Sequence, residues 1–292
     1  RIFITPLVPF ARKADYNHGN LDEFRKPLPE VTIMDNVFMQ KFFEDRLDLV
    51  EQMLQIILKD DTLKVERFER EYIIASLQNK SVRIDICVID DNSTRYALEI
   101  QNDSADANPQ RAIHILSVLV SNLLEKGGDP KNLPEVYVIF LTKGDPLRSG
   151  LQLNHFKFLS TITGDPLWDG VNIIYINTSI QDDTELGKLL HDLRTPNPDE
   201  MYLKSFAERA RYFKENEKGV TEMCNAIQAL CDKYATEGEA RGEAKGEAKA
   251  KIAFIKNLYK SDMKIPTIAS MVDESEETVQ KIIEEYEKEW CC

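Results

Sequence analysis

Several common protein classes are excluded by what this chain has little of. Only five cysteines occur in 292 residues, at Cys87, Cys224, Cys231, Cys291 and Cys292. They form no Cys-x-x-Cys pair and have no histidine at ligand spacing, which argues against zinc. Their odd, scattered number suits a reducing cytoplasm, the expected location, better than a disulfide framework. No apolar run approaches the ~18 residues of a membrane span, so no membrane partner is expected, and no secretory signal is visible. The chain opens on Arg1 rather than Met, as a trimmed or internally started chain would.

Positive charge is also scarce. Against 50 acidic residues stand 37 Lys and Arg, a net charge of −13. Nucleic-acid binders are usually basic, so this balance counts against broad, non-specific affinity. It still permits a local basic strip, and acids gathered round a metal would contribute to the imbalance. With 42% hydrophobic residues the length can bury a full core, and one main domain with a smaller appendage is expected.

What the sequence does contain is a β-hairpin signal from Ser81 to Gln101. The first strand reads Ser81 to Ile89 and the second Arg95 to Gln101, joined by the turn-forming run Asp90-Asp91-Asn92-Ser93-Thr94. Alternation puts Val82, Ile84, Ile86 and Val88 on one face with Tyr96, Leu98 and Ile100. That face should be the core, leaving Asp85, Glu99 and Gln101 together on the other. Opposed residues of antiparallel strands share a face, so the short loop permits Asp85 to stand opposite either Glu99 or Gln101. In both registers two carboxylates converge to roughly 5–8 Å at Cβ. Such a pair is unfavourable without a cation between them, and carboxylate oxygens suit Mg²⁺ or Mn²⁺. A solvated acidic face is the plainer alternative.

The wider wording carries a resemblance. Met34-Asp35-Asn36-Val37-Phe38, Arg83-Ile84-Asp85, Glu99-Ile100-Gln101, Gln110-Arg111-Ala112 and Tyr137-Val138-Ile139-Phe140-Leu141 follow in that order. The set resembles the PD-(D/E)XK nucleases, and within them the PD-(D/E)XK nuclease family transposases, or recombination-promoting nucleases. The resemblance covers roughly residues 26–158. It implies an α/β fold with a restriction-endonuclease-like core, αβββαβ, its central mixed sheet flanked by helices. It also implies a Mg²⁺- or Mn²⁺-dependent endonuclease acting on DNA, possible in recombination or transposition. Asp85, Glu99, Gln101 and Arg111 would be catalytic. Asp85, Glu99 and the Ile100 carbonyl would hold the metal, and Asp35 on the first helix can reach it. Gln101 stands where many relatives carry Lys; in this branch Gln is usual.

Residues 1–31 hold Pro6, Pro9, Pro27 and Pro29 without sustained periodicity, and read as an extended arm. Residues 32–198 form the nuclease-like domain. A helix is expected from Thr32 as N-cap, with Asp35 in its first turn, so capping explains Asp35 as well as a metal does. Its stripe of Phe38, Phe42, Val50, Met53, Leu54, Ile57 and Leu58 should break near Asp45. A first strand follows from Leu63 to Ala75. Asn108-Pro109 opens a helix that runs to Lys126 and stops at Gly127-Gly128. Its apolar positions, Ile113 included, surround most of the circumference, so deep burial is expected. Arg111 and His114 lie near its start on one side. Arg111 could fork onto a phosphate oxygen or form an exposed ion pair. His114 is a weaker substrate-binding candidate, since the family more often has an aromatic there. Glu135–Thr142 and Val171–Asn177 read as buried strands, whereas Leu147–Trp168 has no assignable structure. Glu185–Leu193 reads as a helix, and Pro196-Asn197-Pro198 closes the domain.

Beyond Asp199 the pattern is helical: an extension over residues 199–237, a Gly-Glu-Ala-Lys/Arg repeat over 238–250, and a small helix-turn-helix-like tail over 251–292. The repeat suits either a semi-flexible linker or a self-association helix with a glycine seam, so a homo-oligomer through the C-terminal helices is expected as a possible assembly. Ile252, Phe254, Ile255, Leu258, Ile268, Ala269 and Met271 supply the tail's apolar positions, and Asp273 or Ser275 caps its last helix. That helix carries Glu276, Glu277, Glu284, Glu285, Glu287 and Glu289, which suits protein contact better than phosphate contact. A catalytically inactive member, working as an interaction module through this tail, is the alternative to an enzyme.

Overall fold

The computed structural model describes Arg25 and residues 28–74, 81–102, 104–123, 128–260 and 263–290. Most of the proline-bearing arm, Ala75, Lys126 and Gly127 lie outside them. Two compact units divide the chain, residues 1–228 and 229–292.

In the first unit the hairpin forms as β2 (Val82–Asp90) and β3 (Arg95–Gln101). One side chain builds its turn. Asp90 accepts from the Asn92 and Thr94 N–H groups at 2.9 and 2.8 Å and from the Tyr96 hydroxyl at 2.8 Å. Together with β1 (Val65–Ile74), β4 (Val136–Thr142), β5 (Leu153–Phe156) and β6 (Val171–Asn177) it makes a six-stranded sheet in the order β1-β2-β3-β4-β6-β5. The β3, β4 and β6 strands run parallel, and the remaining pairings are antiparallel. The stretch without assignable structure thus contributes the outer strand β5. On the opposite rim β1 is studded with Glu66, Arg67, Glu69, Arg70 and Glu71 and slips register between Val65 and Arg67.

Helices flank this mixed sheet. The first pair, α1 (Asn36–Phe42) and α2 (Leu47–Leu58), is parted at Asp45, where φ is 55°. The helix starts later than its capping signal suggests. Thr32 donates its N–H and hydroxyl to Asp35 Oδ2 at 2.8 and 3.0 Å, while the Asp35 N–H returns to the Thr32 carbonyl. That closed turn moves the N-cap position to Asp35.

After β3 comes α3 (Pro109–Leu123), whose cap is Asn108: its Oδ1 accepts the Arg111 N–H at 2.9 Å. Only one side of α3 is buried, through Ala112, Ile115, Leu116 and Leu119, and Ile113 is exposed. The expected all-round burial is therefore corrected. This side packs on Cys87, Ala97, Val136, Val138, Phe140, Ile173 and Tyr175. The hairpin face expected to be open and polar is consequently a second core face, because the small Cys87 and Ala97 let a helix lie over it. On the other face Ile86, Val88, Leu98, Ile139, Leu141, Ile174 and Ile176 are also buried.

Two further helices, α4 (Glu185–Arg194) and α5 (Lys204–Glu215), complete the flank. Phe206 and Phe213 of α5 meet Phe42 and Phe38 of α1 at centroid separations of 5.3 and 6.0 Å. Burying each such ring contributes about 2–3 kcal/mol. Arg209 donates to the Lys41, Phe42 and Glu44 carbonyls at 3.0 Å and so satisfies the end of α1. Asp192, fully buried, accepts the Tyr202 and Leu203 N–H groups at 2.8 and 2.7 Å, which ties α4 to the approach of α5.

A long helix, α6 (Glu217–Lys260), includes the repeat. In the second unit α7 (Ile265–Val272) and α8 (Glu276–Trp290) follow. Ile255, Ile268, Ala269, Val272, Val279 and Ile283 form the core of that unit, whereas Phe254 and Met271 are exposed. Ser275 caps α8, its Oγ accepting the Thr278 N–H at 3.2 Å, and Asp273 instead makes the left-handed turn before it. Among the described residues no helix is long and apolar enough to cross a membrane.

Candidate metal centre

The β2–β3 ladder runs from Ile89 opposite Arg95 to Ile86 opposite Leu98. Asp85 and Glu99 lie just past that end, and the alternation shifts there: Val82 and Ile84 pack with Cys87 and Ala97 beneath α3, which corrects the expectation that they share a face with Ile86 and Val88. There side chains replace main-chain pairing. The Ile100 N–H donates to Asp85 Oδ2 at 2.8 Å, and the Asp85 N–H reaches Glu99 Oε1 at 3.4 Å. The Lys143 N–H donates to the Gln101 carbonyl at 3.0 Å, so the Gln101 backbone faces β4. Alternation then turns the Ile100 backbone, carbonyl included, toward β2 and Asp85.

Both acids are buried, Glu99 with no exposure and Asp85 with 8%. Burial raises the Asp85 carboxyl, which the Ile100 N–H and the charge of Arg111 only partly oppose. Burial and the neighbouring Asp85 push Glu99 up to about 8, again against Arg111. Two carboxylates thus share the attention of one guanidinium. Arg111 Nη2 lies 2.7 Å from Glu99 Oε2, and the Gln101 amide donates to the same oxygen at 3.3 Å.

The other candidates stand further off. Asp35 is held by Thr32, and Asn102 Nδ2 approaches its Oδ1 at 3.4 Å while donating to the Met34 carbonyl at 2.9 Å. Asn102 therefore links Asp35 to the strand end that carries Gln101. His114 is exposed on α3, one turn beyond Arg111. Sequence patterns did not point to Asn102, Lys143, Arg194 or Tyr175. Lys143 is exposed just after β4, and Arg194 Nη1 donates to its carbonyl at 2.8 Å. Both border the carboxyl ends of the parallel strands, the usual ligand edge of such sheets; that rule was the available signal. Tyr175 lies on the row Glu99–Phe140–Tyr175 across β3, β4 and β6. Its position inside an apolar run made it look like ordinary core.

A family model for PD-(D/E)XK nuclease family transposases matches residues 33–233, more than half of the chain. The chain belongs to this family. No curated protein and no solved structure matches it. Every element of the PD-(D/E)XK nuclease domain described so far, from α1 to α5, lies within the matched residues.

Whether these residues suit a metal can be judged from their donors. Two carboxylates and a main-chain carbonyl make an all-oxygen set, the preference of Mg²⁺ and Mn²⁺. Burial disfavours ionisation of both carboxyls, and a divalent cation between them would favour the ionised forms. The set is a partial one: among the described residues no group of three or more His, Cys, Asp or Glu side chains is arranged to hold a metal ion. The pair fits a metal that completes its shell with water and substrate oxygens, as Mg²⁺ commonly does.

Proposed function

We infer that this PD-(D/E)XK nuclease is a divalent-metal-dependent DNA endonuclease in which Asp85, Glu99 and the Ile100 carbonyl hold Mg²⁺ or Mn²⁺. One observation carries the inference: two buried carboxylates oppose each other where a β-ladder stops, with one guanidinium between their charge and solvent. When bound, the metal would supply charge to the scissile phosphate and acidify an attacking water. The chain's own groups do the rest. The Ile100 N–H fixes Asp85 through Oδ2 and leaves Oδ1 to ligate a cation. The Gln101 amide can orient a water by hydrogen bonding, though it cannot stabilise hydroxide through charge. Arg111, with its side chain 35% exposed, can fork onto a phosphate oxygen. Lys143 and Arg194 border the same strand ends with positive charge, which offsets locally the overall charge of −13. Asp35 would complete the ligand set only by leaving Thr32; its present role is to seat Asn102 beside the site.

The experiment is nicking of supercoiled plasmid, scanned over Mg²⁺ and Mn²⁺. The parent should nick and Asp85→Ala should not; equal rates would show that the metal site is misassigned. A second reading, an inactive member acting through its helical tail as an assembly module, is favoured by Arg111 already sitting on Glu99. Calorimetry with Mn²⁺ separates the two. Heat abolished by Glu99→Ala supports the nuclease, and no heat supports the module.

A further inference from the structure

Arg111 and Tyr175 have complementary oddities. Arg111 spends its guanidinium on Glu99 Oε2 at 2.7 Å, an oxygen that the proposed metal site needs. Tyr175 is 3% exposed, and its buried hydroxyl has no hydrogen-bond partner among the described residues. An unpaired buried hydroxyl is destabilising, so native proteins rarely keep one. The ring cannot easily swing out to water. It stacks on Phe140 at 5.0 Å with an interplanar angle of 7°, and Phe156 meets it edge-on at 6.3 Å.

The sheet places these groups within reach of one another. Glu99, Phe140 and Tyr175 are directly paired across three parallel strands and share the face that α3 covers. Neighbouring strands lie about 4.8 Å apart, so the Glu99 and Tyr175 backbones are separated by roughly 10 Å. Arg111 enters from the first turn of α3 above that row, and its charge bears on the Tyr175 phenol. The Asn108 cap fixes the Arg111 backbone while the side chain remains partly exposed.

Resting on the metal-site assignment above, we propose that Arg111 is a latch with two seats. On Glu99 it closes the carboxylate pair; when a cation takes Glu99, Arg111 moves along the row and donates to the Tyr175 hydroxyl. In the second seat the guanidinium is positioned beside the metal site for a phosphate oxygen instead of blocking it. Tyr175 is then a positioning residue that acts through Arg111 and touches neither metal nor DNA.

The test is calorimetric titration of Mn²⁺ into the full chain as parent, Arg111→Gln, Tyr175→Phe and the double variant. Arg111→Gln should bind at least about tenfold tighter, since one charge-assisted hydrogen bond no longer competes. Tyr175→Phe should bind about three- to tenfold weaker, because the released arginine loses its seat. In the Arg111→Gln background Tyr175→Phe should have no effect, which separates a latch from simple charge repulsion. Tyr175→Phe removes an oxygen without a partner among the described residues, so its melting temperature should be equal to or above the parent's. A parent that binds no tighter after Arg111→Gln, or a Tyr175→Phe effect that persists without Arg111, overturns the latch and leaves the metal site standing. Absence of binding in all four proteins overturns both.

Discussion

Glu99 and Asp192 are both carboxylates with no exposure, in the same unit of one chain, and their surroundings differ sharply. Asp192 accepts two main-chain N–H groups at 2.8 and 2.7 Å, donors fixed by the entry to α5, and His191 Nδ1 lies 3.2 Å from its Oδ1. Glu99 has one arginine at 2.7 Å, an amide at 3.3 Å and an N–H at 3.4 Å, and it faces a second acid. A carboxylate buried to hold a fold together is matched by donors that cannot leave. Glu99 is matched less completely, by two side chains and one long main-chain contact, and under the proposed function that mismatch is what a cation would use.

Five substitutions would break or sharpen that contrast. The largest effect is expected at Asp85 and Glu99: alanine at either should lower plasmid nicking per folded molecule by about a thousandfold, the scale of losing a main electrostatic group. Asp192→Ala should do the reverse. Leaving the buried Leu203 N–H and the part-buried Tyr202 N–H without an acceptor should cost about 2–4 kcal/mol in denaturant unfolding, while nicking per folded molecule stays at the parent's level. Third comes pH. Glu99 is raised from 4.5 to about 8 in the folded chain, so its contribution is fully present below 4.5. Between those values the unfolded chain releases a proton that the folded chain keeps, and stability falls as pH rises. Glu99→Gln should flatten that slope in denaturant midpoints measured across the window. Smallest is Asn108→Ala, which removes the cap beneath Arg111; a loss of about 1 kcal/mol is expected, with a modest drop in nicking.

Much of the site was legible because it is local. The hairpin and the strands β4 and β6 follow from alternation and continuous apolar runs, and Asp85 and Glu99 do meet where the β2–β3 ladder ends, although the shift of face between Ile84 and Cys87 was not foreseen. The cap at Asn108 and the break at Asp45 are short-range chemistry as well. What escaped depends on distant partners. Cys87 and Ala97 gave no sign that α3 would cover the polar face, since small residues between charges resemble a solvated strand. Strand β5 carries exposed aromatics on a short outer edge, so no period marks it. Arg209 and Asp192 are charges whose worth lies in backbone groups on other helices, and Tyr175 could not be told from its apolar neighbours. Asp35 was placed one turn out because Thr32 and Asp35 are both good capping residues, and only the fold decides which one starts the helix.

The two rims of the sheet have a consequence for the protein in crowded solution. One rim is four residues long, and the other is charged along its length and slips out of step. Neither presents a long unbroken row of amide hydrogens and carbonyls to another molecule. A strand-rich interior is thereby kept from templating fibrils, and the sheet ends where one chain ends.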